Sequence, residues 1–425
     1  MGSRPAYLVQ GRLMTSQNNT LAALCNRRML ICIFTGFSSG LPLYILISLV
    51  PAWLRNEGVD LKAIGLFALI QLPFTWKFLW APLFDRYIPP LGRRRGWLLI
   101  SQLALIIILP VYGYLNPHQD LWAIAYLSLA VAFFSASQDI VLDAYRRELL
   151  GDNELGLGNA IHVNAYKIAS LVPGALSLVL ADHLPWKAVY LLTALFMLPG
   201  ILMTLFVSEP DLKGAPRTLK AAVIEPFAEF RGRGLQAATL ILAFIFFYKL
   251  GDSMATALAT PFYLDLGFTK TEIGLIAKNA GLWPSVIGGL LGGIWMARLG
   301  INRALWIFGV VQMVAILGFA WLAMVGHNLL WLAVVIGVEA LGVGLGTAAF
   351  VAFIARSTHP LYTATQFALF TSLAAVPRTF ANAATGYLVD WVGWRNFFLI
   401  CFFVAIPGML LLFKVAPWHG EETDR

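Results

Sequence analysis

Apolar residues run through this chain in long stretches, separated by short polar interruptions. A membrane-spanning helix needs roughly 20 consecutive apolar residues, and twelve stretches meet that length: 29–54, 62–84, 97–116, 120–146, 157–181, 187–208, 236–264, 271–297, 302–325, 329–356, 361–388 and 394–415. The pattern predicts an all-α integral membrane protein. The first stretch is too long for a cleavable signal, and no small-residue cleavage site follows it. Residues 1–28 are expected to form a polar tail, with Met14 an alternative start, and 416–425 a second tail. The longest interruption, 209–235, is rich in Lys, Arg, Pro and Gly and is expected to be a linker between 29–208 and 236–415.

Composition agrees with the pattern. Hydrophobic residues make up 59% of the 425 positions, charged residues only 12%, and mean hydropathy is +0.75. An ordinary soluble domain carries about 25% charged residues. Cys25, Cys32 and Cys401 have neither metal-type nor disulfide-type spacing and are expected to be small apolar fillers. The net charge of +8 is unevenly placed. If the N-terminus is cytoplasmic, 20 of the 30 Lys and Arg residues lie on the cytoplasmic side, 5 on the opposite side and 5 inside spans. That asymmetry fixes orientation by the positive-inside rule, with both termini cytoplasmic. It makes the basic excess a topological and lipid-facing feature, and nucleic-acid binding is not expected.

The chain repeats itself. Ile64-Gly65-Leu66 returns as Ile273-Gly274-Leu275, 209 residues on. Asp182-x-x-x-Trp186-Lys187 returns as Asp390-x-x-x-Trp394-Arg395, 208 residues on. Two matches at nearly one offset, in equivalent loops, indicate two six-helix halves. Parallel halves around a central cavity describe the major facilitator architecture. The loop after the second span, Asp85-Arg86-Tyr87 followed by Gly92-Arg93-Arg94-Arg95-Gly96, resembles the signature loop of that superfamily. Its second-half counterpart, Ala297-Arg298-x-Gly300 with Arg303, lacks the acid. The acid and arginines are expected to latch helix ends together: Asp85, Arg86, Arg93, Arg94 and Arg95 in the loop, with Asp143 and Arg146 of the fourth span as partners. A cluster that only fixes topology is the simpler reading, but Asp85 adds nothing to topology.

Charge inside the membrane is costly, so it marks cavities, ion pairs or proton routes. Ser135-Ala136-Ser137-Gln138-Asp139-Ile140-Val141-Leu142-Asp143-Ala144 places Asp139 and Asp143 on one face of the fourth span. Lys77 falls in the second span, Lys167 in the fifth, Lys249 and Asp252 in the seventh and Glu339 in the tenth. Lys278 and Arg378 fall nearer the periplasmic side of the eighth and eleventh. Each has a structural reading: Lys249 with Asp252 as an internal ion pair, Lys77 as the neutraliser of Asp139. As a set, the excess of cations suits an anionic ligand. A mid-membrane carboxyl suits proton coupling, and Asp139, Asp252 and Glu339 are the candidates. By analogy of fold, the first, fourth, seventh and tenth spans line the cavity. Tyr44, Trp76, Trp80, Tyr166, Tyr248 and Trp283 could offer faces to a sugar, although most membrane aromatics only fill contacts. Gly342-x-Gly344-x-Gly346 is a packing stripe with no strand before it. There is no nucleophile constellation, P-loop or metal spacing, so no enzyme, cofactor or metal is expected.

Four runs are similar to the muropeptide permeases of the AmpG family: Gly36-Phe37-Ser38-Ser39-Gly40-Leu41-Pro42-Leu43, Lys77 to Tyr87 with Gly92 to Trp97, Ser135 to Ala144, and Ala364 to Phe370. The resemblance implies proton-driven import of cell-wall fragments, namely GlcNAc-anhydroMurNAc and its peptides, across the bacterial inner membrane. It implies a role in peptidoglycan recycling and β-lactamase induction, hence in antibiotic resistance. It points to Gly40, Lys77, Gln138 and Asp139 as functional positions, with Tyr166 and Lys167 next. Some members of the family are longer, with additional helices for which this chain has no room beyond its twelve spans. A single chain is expected to act alone. Transport of another bulky anionic solute, such as a coenzyme A ester or a siderophore, stays open, as does a sensor that moves nothing.

Overall fold

The structure, a computed structural model, describes residues 26–59, 72–209, 218–232, 235–269, 272–359 and 362–418. The early part of the second span, including Ile64-Gly65-Leu66, lies outside the described residues, as do 1–25 with Cys25, 419–425 and the side chains of Lys278 and Arg378. Every element among the described residues is helical. Nine helices there are long and apolar enough to cross a membrane.

The first span is Arg27–Asn56. Asn26 caps it by accepting the Arg28 amide, and a π-helical turn, Ile45–Leu49, follows Pro42. Proline removes one helical hydrogen bond, which such a turn accommodates. The described part of the second span is Leu72–Trp76, Lys77–Leu79 and Ala81–Arg86. The third to sixth spans are Arg95–Tyr114, Leu121–Leu149, Asp152–Ala181 and Trp186–Phe206. The seventh is broken twice, into Leu235–Tyr248, Leu250–Ala257 and Ala259–Asp265, with Lys249 at the first break. The eighth and ninth run as one helix, Lys278–Val325, that bends at Gly300. The tenth is Leu329–Ser357. The eleventh and twelfth likewise form Thr363–Val415, bent at Gly393. Gly300 and Gly393 have φ of 74° and 76°, a region open to glycine at no steric cost.

The linker between the halves contains a helix, Leu219–Gly232. Its breaker residues are concentrated at its ends, and Leu, Ala, Val, Ile and Phe fill the interior around Pro226. The helix is tied to the eleventh span: Gln366 donates to the Pro226 carbonyl and the Tyr362 hydroxyl donates to Glu225.

Large apolar side chains point outward along the spans, as a bilayer solvent allows. Ile107, Trp122, Phe206, Tyr387 and Trp391 are each more than two-thirds exposed, which an aqueous surface would not tolerate so densely. Two of the cores lie one in each half, and a further cluster spans both, from Met29, Cys32 and Leu157 to Met296, Leu345 and Phe353. Trp53, Tyr112 and Tyr190 anchor the core of the first half, and Phe262, Phe319 and Phe398 that of the second. Cys32 and Cys401 are buried free thiols.

The repeat extends beyond the sequence matches. Gly200 of the sixth span packs on Ser38 of the first, and Gly408, 208 residues on, packs on Tyr248 of the seventh. Gly92 and Gly300 share the same offset, and both have positive φ. The two halves therefore share interfaces as well as element order.

Candidate functional site

The buried charge forms two clusters at different depths. The inner cluster lies nearer the end that carries the 85–96 loop. Asp139 accepts a hydrogen bond from Ser39 of the first span at 2.5 Å. Lys77 of the second span lies 3.7 Å from Asp143 and also faces Asp139. Arg146 donates to Asp143 at 2.8 Å and to Asn159 of the fifth span at 2.6 Å. Four spans thus meet around two acids and two bases. His162 joins the fifth span to the first through Thr35 at 3.1 Å.

The outer cluster belongs to the second half. Lys249, at the break of the seventh span, lies 3.4 Å from Asp252 and 3.2 Å from the Gln312 carbonyl oxygen of the ninth. Glu339 of the tenth span is buried beside Asp252. Lys167 enters from the first half: it donates to the Ser285 hydroxyl of the eighth span and faces Lys249, Asp252 and Glu339. Within their own helices, Asp139 sits ten residues before Leu149 and Glu339 eighteen before Ser357. At 1.5 Å per residue Glu339 is about 12 Å farther from the basic end. Small residues make room for the cluster. A Cβ at Gly346 would strike Gln312, and one at Gly344 would strike the Ser285 carbonyl. The glycine stripe therefore serves two neighbouring spans.

Three of the residues expected to contact a ligand are packed between spans. The Gln138 amide donates to the Ser38 carbonyl at 2.7 Å, which braces the fourth span against the first. A Cβ at Gly40 would overlap the Tyr166 carbonyl, so that glycine sets the approach of the first and fifth spans. The Tyr248 hydroxyl donates to the Leu305 carbonyl at 3.0 Å, and its ring stacks on Phe350. Each answers a local burial requirement, since polar groups inside the bundle need partners and close spans need small residues. Tyr44 and Tyr166 meet edge to face at 5.7 Å. Trp80 donates to Ser137 and lies against Phe133.

The loop after the second span also departs from its expected partners. Asp143 pairs with Lys77 and Arg146, and neither Asp143 nor Arg146 bonds the loop in the described contacts. The acid the loop arginines hold is Glu148, one turn farther on: Arg93 at 3.0 Å and Arg94 at 2.5 Å. Arg95 donates to the Thr204 and Leu205 carbonyls of the sixth span. Glu209 receives the Arg94 and Arg95 amides. Arg86 lies over the ring of Tyr87. Burial alone would push the Arg94 guanidinium down; Glu148 and Asp85 more than offset it and hold it above its ordinary value. Arg93 is pushed below its ordinary value by burial and by neighbouring Arg94.

Asp85 carries this network across to the other half. It is fully buried and bonds Arg94 at 2.9 Å. It also accepts from the Thr365 amide at 2.9 Å and the Thr365 hydroxyl at 2.7 Å, at the start of the eleventh span. Carboxylates are favoured at such helix starts, where amides lack intrahelical acceptors. Arg147 reaches the Ala355 carbonyl of the tenth span at 2.7 Å. Gly293 of the eighth span packs on Ala160 and Leu157 of the fifth. The halves are thus joined at the basic end.

In the second half, the Arg94–Glu148 pair corresponds to Asn302–Arg356, each partner 208 residues on. These side chains bond at 2.5 Å, so the contact persists with its charges rearranged. Sequence reading missed Glu148, Asn159, Gln312, Ser285 and Thr365. Gln312 carried a signal as an amide deep in an apolar span; the others are ordinary polar residues that position alone makes special.

Comparison with known proteins agrees with this construction. The Major Facilitator Superfamily profile matches residues 32–381 and 245–424. The chain is 53% identical to an uncharacterized protein of Haemophilus influenzae, over 96% of this chain and 98% of that one. It is 42% identical to the anhydromuropeptide permease of Escherichia coli K12, over 91% of this chain and 79% of the permease. It is 32% identical to a putative transporter AmpG 4 of Rickettsia felis, over 89% and 94%. Among solved structures, the human organic anion transporter MFSD10 superposes with a TM-score of 0.71, covering 91% of this chain and 99% of that one at 17% identity. FucP in its outward conformation gives 0.70, covering 92% and 99% at 10% identity. The fold, the basic loop packed under both halves and these relatives together make the chain a member of the AmpG family of the major facilitator superfamily.

Proposed function

We propose that this protein is a proton-coupled importer of anhydro-muropeptides, working by alternating access in the bacterial inner membrane. The observation that carries the reading is 42% identity to the Escherichia coli anhydromuropeptide permease along 91% of the chain. Chemistry supports it independently. The substrate is a disaccharide with peptide carboxylates, and Lys77, Lys167 and Lys249 bring ammonium groups to the interior of the bundle. Lys278 and Arg378 add cations to the eighth and eleventh spans. Tyr44, Trp80 and Tyr166 offer ring faces to the sugars. Asp139, held between Ser39 and Lys77, is the proton-coupling carboxyl of the first half.

The basic end is cytoplasmic by the positive-inside rule, with both termini on that side. Closure there corresponds to the outward-facing state, in which a periplasmic fragment would enter. One chain supplies both clusters, so a monomer is the working unit. The imported fragments would feed wall recycling and the induction of β-lactamase.

The test is uptake of labelled GlcNAc-anhydroMurNAc-peptide into proteoliposomes under an imposed proton gradient, acid outside. Accumulation that collapses with a protonophore is expected. No accumulation by folded, correctly inserted protein would sink the reading; accumulation of another anionic solute instead would move the substrate elsewhere. Asp139→Asn is expected to abolish gradient-driven accumulation while exchange of bound substrate persists.

A further inference from the structure

The outer cluster holds two acids that lack donors where they meet. Asp252 and Glu339 come from different spans and lie within hydrogen-bonding reach of each other. Glu339 is only 7% exposed. Asp252 Oδ1 and Glu339 Oε1 are buried, and no donor among the described residues reaches either. Lys249 is engaged elsewhere, on Asp252 Oδ2 and Gln312. Lys167 is held by Ser285. Two ionised carboxylates in contact inside a low-dielectric bundle repel, and neither can donate to the other. One proton removes both problems: it turns one carboxyl into a donor and leaves a single negative charge beside Lys249.

We propose that Asp252 and Glu339 share one proton, and so act as a single proton-carrying pair bridging the seventh and tenth spans. Asp139 is differently placed. Ser39 supplies its donor and Lys77 its countercharge, so it needs no second acid. Among the described residues, the groups facing the pair are Lys249 and Tyr248 on its own span, Lys167 from the fifth, Gln312 from the ninth and Tyr263 from the end of the seventh. The twelfth span adds Cys401, whose carbonyl lies against Gly251.

The pair also has a mechanical consequence, which rests on the proton-coupled reading above. Lys167 belongs to the first half by chain and to the second by contact. Loss of the shared proton doubles the negative charge facing Lys167 and tightens its hold across the interface. Gain of the proton loosens it and frees the ammonium for a substrate carboxylate. The proton count of the second half is thereby read by a cation of the first.

Infrared difference spectroscopy on the full protein in lipid nanodiscs, without substrate, tests the shared proton itself. A protonated-carboxyl band is expected near neutral pH. It should shift when glutamate alone is carboxyl-labelled with carbon-13, and again when aspartate alone is labelled. Asp252→Asn and Glu339→Gln should each remove the band completely, because the remaining acid is then neutralised by Lys249 and Lys167. Asp139→Asn should leave it in place. Absence of the band in unsubstituted protein, or its insensitivity to glutamate labelling, would overturn the proposal. The labelling arm uses the native sequence, so it stands even if a variant fails to fold. Because no substrate is present, a failed uptake assay and a missing band are separate results.

Discussion

Lys77 shows how one side chain can hold several others in place. It is buried, lies 3.7 Å from Asp143 and faces Asp139. Removing one member of a buried charge group leaves the rest uncompensated, at a typical cost of about 3–5 kcal/mol. Lys77→Met is therefore expected to lower thermal stability in detergent by that order, whereas Lys77→Arg should recover most of it. Equal melting temperatures for Met and the native Lys would show that Arg146 and Ser39 suffice for the two acids. The result also separates structure from transport, since Arg keeps the charge and changes the shape offered to a carboxylate.

Span contacts depend on glycine as much as on charge. Gly36 and Gly40 let the first span approach the His162 and Tyr166 carbonyls of the fifth, and a side chain at either would collide with backbone. Gly174, in the fifth span, has nothing near its missing side chain. Overpacking a close interface costs about 1–3 kcal/mol. Gly40→Val should lower the melting temperature and the folded yield, while Gly174→Ala should leave both unchanged. Equal behaviour of the two variants would mean the first and fifth spans can move apart freely. Such contacts mark the limit of what the chain reveals by itself. Span order was legible because hydropathy is a one-dimensional signal, and Asp139, Lys77 and Lys249 stood out because charge is rare in lipid. Gln138 and Gly40 stood out as well, but their motif does not tell a helix contact from a ligand contact. Glu148 and Thr365 gave no signal. A Glu at a basic helix end and a Thr at a helix start are common, and only tertiary position makes them partners of Arg94 and Asp85.

Across the whole molecule, Asp85 joins the two halves at the basic end through a buried charge. Arg94 and Glu148 fix it to the first half, and its other bonds go to Thr365 of the second. A rocking motion that opens the basic end must separate Asp85 from Thr365 while leaving Arg94 attached. Under the alternating access proposed above, these bonds contribute only in the closed state, so they bias the equilibrium rather than the fold. Hydrogen bonds to a charged group are worth about 1.5–3 kcal/mol, and each 1.4 kcal/mol is about a tenfold change in population. Asp85→Asn should therefore shift the balance roughly 10- to 100-fold toward the state open at the basic end. Thr365→Val loses one donor and should shift it less. Double electron–electron resonance between labels at exposed Tyr87 and Trp418 would measure this, with the native cysteines replaced. A longer-distance population should grow in the order native, Thr365→Val, Asp85→Asn. Identical distance distributions in all three would show that the glycine-lined contact of the fifth and eighth spans, with Gly293 against Ala160, closes the basic end unaided. The carboxylate would then serve the start of the eleventh span alone.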